Sequence, residues 1–142
     1  MDETLKLLMA VYDSSSLASK TIGKALPYVD NVSLRKNMIS QINDYDNINI
    51  KAGREISELG KKPRVSHPMK EKLQSWSVGM SVGSNERISN VAKVITGFAN
   101  NRAVDITSEM NTCINSSPTA YNLARQLVAR DELSAKSLKP YL

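Results

Sequence analysis

The sequence predicts an all-α fold: four long helices in two antiparallel hairpins, joined by a long crossover that carries a short helix of its own. Three observations carry this. Apolar residues recur at spacings of three and four along most of the 142 residues, the period of a helix with one buried stripe. Aromatic residues make up only 5% of the chain, so the core is aliphatic, as helix-on-helix packing favours. Helix stop and start signals (Gly60 with Pro63, Ser117 with Pro118) fall where the stripes break. One domain over 1–142 follows from the length, with helices at about 2–27, 33–59, 68–82, 84–115 and 117–139.

The first helix opens on Asp2 and Glu3, acids at its positive end. Its stripe is Leu5, Leu8, Tyr12, Ser15, Ser19, Ile22 and Leu26, and Pro27 closes it. Ser33 reads as the cap of the second helix. That helix buries Leu34, Met38, Ile42, Tyr45, Asn49, Ala52, Ile56 and Leu59. Residues 60–83 form the connector. Pro68 can open a short helix with the stripe Met69, Leu73, Trp76 and Met80, Trp76 anchoring one end of the core. Gly83-Ser84 reads as a stop and a new cap. A single helix over 68–115 is the other reading, but it would be about 70 Å long, nearly twice its neighbours. From Ser84 the stripe is Ile88, Ala92, Ile95, Ala99, Ile106, Met110 and Cys113, with Arg102 in its midst. Ser117 and Pro118 start the last helix, whose stripe is Ala120, Ala124, Leu127, Val128, Ala135, Leu138 and Leu142. Leu17, Val104 and Leu133 fall on outward faces and could mark the surface of a homodimer.

Composition excludes several classes of function. No apolar run reaches the ~20 residues of a membrane span, and the acidic opening reads as a helix start rather than a signal peptide. The lone Cys113 cannot form an internal disulfide and falls on an apolar face, which points to the cytoplasm. There is no phosphate-binding loop, no dinucleotide fingerprint and no Cys-x-x-Cys pair. The one histidine, His67, has no nucleophile beside it. The acids Asp44/Asp46 and Asp131/Glu132 read as solvated surface groups rather than acid/base couples. The net charge of +5 is concentrated in the connector, at Lys61, Lys62, Arg64, Lys70 and Lys72. Binding of nucleic acid or an anionic surface is the sharper reading of that cluster. A solvated loop is the plainer one, and the absence of interleaved aromatics supports it.

With the four helices antiparallel in sequence order, their midpoints share one level. The inward residues there are Tyr12, Ser15, Ser19, Gln41, Tyr45, Asn49, Arg102 and Asp131, so each stripe turns polar at its centre. The opening DETLKLLMAVY, the central SWSVGMSVGS and the closing LKPYL resemble the ferritin-like superfamily, most of all small bacterial ferritin-like proteins of unassigned function. The resemblance implies a four-helix bundle with one long crossover and, in metal-bearing members, two metals held on a Glu from each of two helices and a Glu-x-x-His from each of the others. This chain departs from that pattern on every helix. Ser15 and Ser19 stand inward on the first. Asp44-Tyr-Asp-Asn47 on the second lacks a His, Arg102 occupies the third, and Ser134 and Ala135 follow Asp131 on the fourth.

A site built from oxygens alone remains for a hard cation, though a guanidinium in the same layer repels one. The expectation is therefore no metal, no cofactor and no catalysis. An Arg102–Asp131 pair takes the place of the metal charge, with Ser15, Tyr45 and Asn49 completing its hydrogen bonds. The alternative places Arg102 at the stripe's edge, its head in solvent, with Ala103 closing the core. Function then lies in self-association or partner binding. The rivals are an iron- or manganese-dependent oxidase or iron-handling protein, and an anion binder working through 61–72.

Overall fold

A computed structural model describes residues 2–65 and 84–142. The expected helix at 68–82, the break at Gly83, and His67, Lys70, Lys72 and Trp76 lie outside them. Among the described residues all regular structure is helical: α1 Glu3–Ala25, α2 Val32–Glu58, α3 Ser84–Thr112 and α4 Pro118–Ser137. Short 3₁₀ turns follow α1 (Leu26–Tyr28) and α4 (Lys139–Tyr141). No described helix is long and apolar enough to cross a membrane.

Local chemistry fixes the helix ends. Pro27 has no N–H and its ring crowds the preceding turn, so α1 tightens there instead of continuing. The Arg35 guanidinium reaches back to donate to the carbonyls of Leu26 (2.7 Å) and Val29 (2.8 Å), a cation at the negative end of α1. Asn31, not Ser33, caps α2: its Oδ1 accepts the Leu34 N–H at 2.9 Å. Asn is as good a cap as Ser and stands one turn before the buried Leu34. Ser33 lies inside the helix, its hydroxyl against the Tyr141 hydroxyl. At the other end Gly60 takes φ +75°. The Lys61 N–H reaches the Ile56 carbonyl and the Gly60 N–H the Ser57 carbonyl, the paired bonds of a Schellman stop. Ser117 Oγ accepts the Ala120 N–H at 3.2 Å to start α4, with Pro118 in the first helical position.

The most extensive contacts are α1 on α2 and α3 on α4; α1–α3, α2–α4 and α1–α4 also touch. Cross-helix bonds give the directions. The start of α1 meets the corner before α4 (Thr4 Oγ1 accepting the Ser117 N–H) and the end of α3 (Lys6 with Glu109). The Arg87 guanidinium, near the start of α3, donates to the Tyr28 carbonyl after α1. Asn37 on α2 pairs with Ser137 near the end of α4. Hence α1 and α4 run one way and α2 and α3 the other. The helices do not alternate direction throughout, because α2 and α3 are parallel.

The core is aliphatic, with Leu7, Leu8, Ile22, Leu34, Met38, Ile56, Ile95, Ile106, Leu127 and Leu138 fully buried. Each such side chain contributes about 1.5–3 kcal/mol. The faces are rotated from the sequence expectation where helices crowd. Because α1 touches three neighbours, it buries Leu7, Val11, Ala18, Thr21 and Ala25 beside the expected Leu5, Leu8, Ser15 and Ile22, while the expected Tyr12, Ser19 and Leu26 are only half-buried. Leu17 is half-buried rather than outward. Ile48, Val91 and Leu123 are buried, whereas Leu59 (46% exposed) and Leu142 (51%) are not. Ile42, Ile88, Met110, Val128 and Ala135 are half-buried at stripe edges.

Gly60→Ala should lower stability by about 1–2 kcal/mol, since a Cβ strains the left-handed backbone. No described atom lies within 4 Å of that Cβ, so the loss is conformational. A urea denaturation midpoint lowered at unchanged slope is the expected reading; an unchanged midpoint contradicts it.

Candidate functional site

The middle of the bundle holds a buried, charged hydrogen-bond network built by α2, α3 and α4. Arg102 sits on the inward face of α3 between Ala99 and Ile106, and Asp131 on that of α4 between Leu127 and Ser134. Arg102 is 6% exposed and Asp131 0%. Its head therefore does not run out to solvent, and Ala103 is only half-buried. Arg102 Nε and Nη2 both donate to Asp131 Oδ1, at 3.1 and 3.0 Å. The Tyr45 hydroxyl donates to the same oxygen at 2.5 Å. With its proton committed there, the Tyr45 oxygen accepts from Arg102 Nη2 at 3.2 Å and from the Ser134 hydroxyl at 3.1 Å. The guanidinium also lies over the Tyr45 ring, 5.1 Å from its centroid.

The network continues to the surface. Arg130 Nε donates to Ser134 Oγ at 3.2 Å, and Arg130 Nη1 donates to Asp44 Oδ2 at 2.6 Å. Asp44 is thus an ion-pair partner linking α2 to α4, not a free solvated acid, while Asp46 and Glu132 are exposed. One turn further on, Asn37 Nδ2 donates to Ser137 Oγ at 2.9 Å, and Gln41 Nε2 to Asn37 Oδ1 at 2.6 Å. The seam between α2 and α4 is thus polar from Asn37 to Tyr45 on α2 and from Arg130 to Ser137 on α4.

Burial sets the electrostatics. Loss of water pushes the Asp131 carboxyl above its usual range, while the Arg102 charge and the Tyr45 and Arg102 hydrogen bonds work the other way. Burial likewise pushes the Tyr45 phenol up to about 12; Arg102 opposes this and the Asp131 charge adds to it. A charged group in this position is stable only while its partner remains.

Of the eight residues expected to share the layer, seven fall into two groups and Ser19 joins neither. Tyr45, Arg102 and Asp131 meet, with Gln41 buried one turn away. Ser15 and Asn49 belong to a separate link between α1 and α2, and do not complete the Arg102–Asp131 bonds. Asn49 Nδ2 donates to the Tyr12 carbonyl at 2.9 Å and to Ser15 Oγ at 3.2 Å. Tyr12 contributes only that carbonyl. Its ring packs over Gly53, where a Cβ would stand 3.2 Å from it. Ser19 is half-buried and joins none of these bonds, because α1 turns Ala18 inward instead. Ser134 and Arg130 were missed. Their signal was present: Ser134 stands three residues after Asp131, on the same face, and Arg130 four before Ser134.

No group of three or more potential metal-ligating side chains occurs among the described residues. Lys61, Lys62 and Arg64 are exposed together where the chain leaves α2, beside Asp2, Leu5 and Met9. Of the outward aliphatics, Val104 (69% exposed) and Leu133 (52%) face solvent. Comparison with family models, curated proteins and solved structures finds no match.

Arg102→Ala and Asp131→Ala should each cost about 3–5 kcal/mol, since either strands a buried partner. The double substitution should cost clearly less than the sum; additivity in a denaturation cycle contradicts the pairing. Tyr45 gives a pH signature. Its raised pKa means that its contribution is complete below pH 10 and is lost as pH rises toward 12. About 2–3 kcal/mol should disappear over that window in the native chain and not in Tyr45→Phe. Parallel stability-versus-pH curves for the two chains contradict this.

Proposed function

We propose that this chain is a ferritin-like four-helix bundle whose central layer is held by internal charge rather than by metal. On this reading it is a non-catalytic cytoplasmic protein that acts through its surface, by self-association or by binding a protein partner. The observation that carries the reading is the buried Arg102 guanidinium in the middle of the bundle, paired with Asp131. A divalent ion about 5 Å from that charge would be repelled by roughly 6–7 kcal/mol at an effective dielectric near 20. Asp131, the one fully buried acid described, already neutralises Arg102. The helix directions support the ferritin-like part: α2 and α3 are parallel, so residues 59–83 join opposite ends of the bundle, as one long crossover does. Exposed Val104, Ile114 and Leu133 support a surface role.

A second reading, weak binding of nucleic acid or an anionic surface, rests on the exposed Lys61, Lys62 and Arg64. Asp2 beside them lowers the local charge.

The test is purification without chelator, followed by elemental analysis and light scattering across a concentration series. The expected result is less than stoichiometric iron or manganese, and a mass above the 15.7 kDa of one chain. Two tightly held metal ions per chain would sink the metal-free reading. A strict monomer at all concentrations would remove self-association. Salt-sensitive binding to a single-stranded oligonucleotide, lost on charge reversal of Lys61 and Lys62, would favour the second reading.

A further inference from the structure

Two buried oxygens on the α2–α4 seam face no protein donor. Asp131 Oδ1 takes all three donors of the network, and Asp131 Oδ2 takes none. Gln41 commits its Nε2 to Asn37, and its Oε1 likewise takes none. Both side chains are wholly buried. The helix register brings them to the same stretch. Asn37 is bonded to Ser137, and Tyr45 to both Ser134 and Asp131. Gln41 stands one turn from each, so the part of α4 that it faces runs from Asp131 to Ser137.

Two bare acceptors on one stretch of a buried seam have each lost hydration without a donor to replace it. The chemistry of what they need is specific. A cation is disfavoured, because Arg102 already sits on the other carboxylate oxygen. A neutral group with two donatable protons satisfies both. Buried polar groups that the chain leaves unmet are ordinarily met by ordered water.

We propose that one ordered water molecule is bound between α2 and α4, donating one hydrogen to Asp131 Oδ2 and the other to Gln41 Oε1. It completes the acceptor set of Asp131 without adding charge. It also joins the Ser137–Asn37–Gln41 chain to the Arg102 network, which already ties α2, α3 and α4 together.

A crystal structure of the full chain, at a resolution that shows ordered solvent, tests this. The expected result is a density peak about 2.7–3.2 Å from both oxygens. Oxygen-17 relaxation dispersion should count one long-lived water fewer in Gln41→Leu than in the native chain. The proposal is overturned if no peak lies there. It is also overturned if the Gln41 and Asn37 amides are both turned, so that Gln41 Nε2 donates directly to Asp131. Equal water counts in the native chain and the folded variant overturn it too. If Gln41→Leu does not fold, the native crystal decides alone.

Discussion

A positive charge that cannot be neutralised by losing its proton sits at the centre of this bundle, and the surrounding side chains are arranged to accommodate it. Arginine stays charged at any pH at which proteins fold. Burying it is tolerable only with a carboxylate at contact and with the remaining polar groups engaged. Asp131 supplies the carboxylate, and Tyr45 and Ser134 supply the engagement. The short side chains of Ser15 and Ala18 on the inward face of α1 fit a middle level filled by the long arms of Arg102 and Tyr45. An aliphatic layer would have packed at least as stably. What the polar layer adds is register: the donors and acceptors match at only one sliding position of α2 against α4.

The same layer bears on what the molecule does. It is made of a guanidinium, a carboxylate, a phenol and a serine hydroxyl. Those groups hold one another through Asp131 Oδ1, while Asp131 Oδ2 meets no protein donor. On the function proposed above, the surface acts through its exposed aliphatics and its cluster of cations.

Much of this was legible in the sequence because helical periodicity is a strong signal. The four helices, the Gly60 stop and the Ser117–Pro118 start follow from spacing and from backbone chemistry that does not depend on tertiary context. Arg102 and Asp131 were legible as partners because a charge in an apolar stripe demands one. What the periodicity could not show was rotation. A helix touching one neighbour buries a narrow stripe, but α1 touches three, and its buried arc shifts and widens by about one residue to one side, taking in Leu7, Val11, Ala18, Thr21 and Ala25. That is why Val11 and Ala18 replaced Tyr12 and Ser19. Capping by Asn31 rather than Ser33 turned on a choice between two competent caps. The Asp44–Arg130 link was invisible because the two residues are 86 apart and nothing local distinguishes them.

The separation of the partners along the chain has a consequence for how the bundle assembles. Arg102 and Asp131 lie 29 residues apart, within one hairpin, whereas Tyr45 lies 86 residues from Asp131, in the other. Closing the shorter loop is favoured by roughly 1 kcal/mol of chain entropy. The ion pair can thus form while α3 and α4 are still wet, and arrival of α2 then strips its water and seals it with the phenol. On that order of events, dehydration falls on a pair already neutralised rather than on two separate charges.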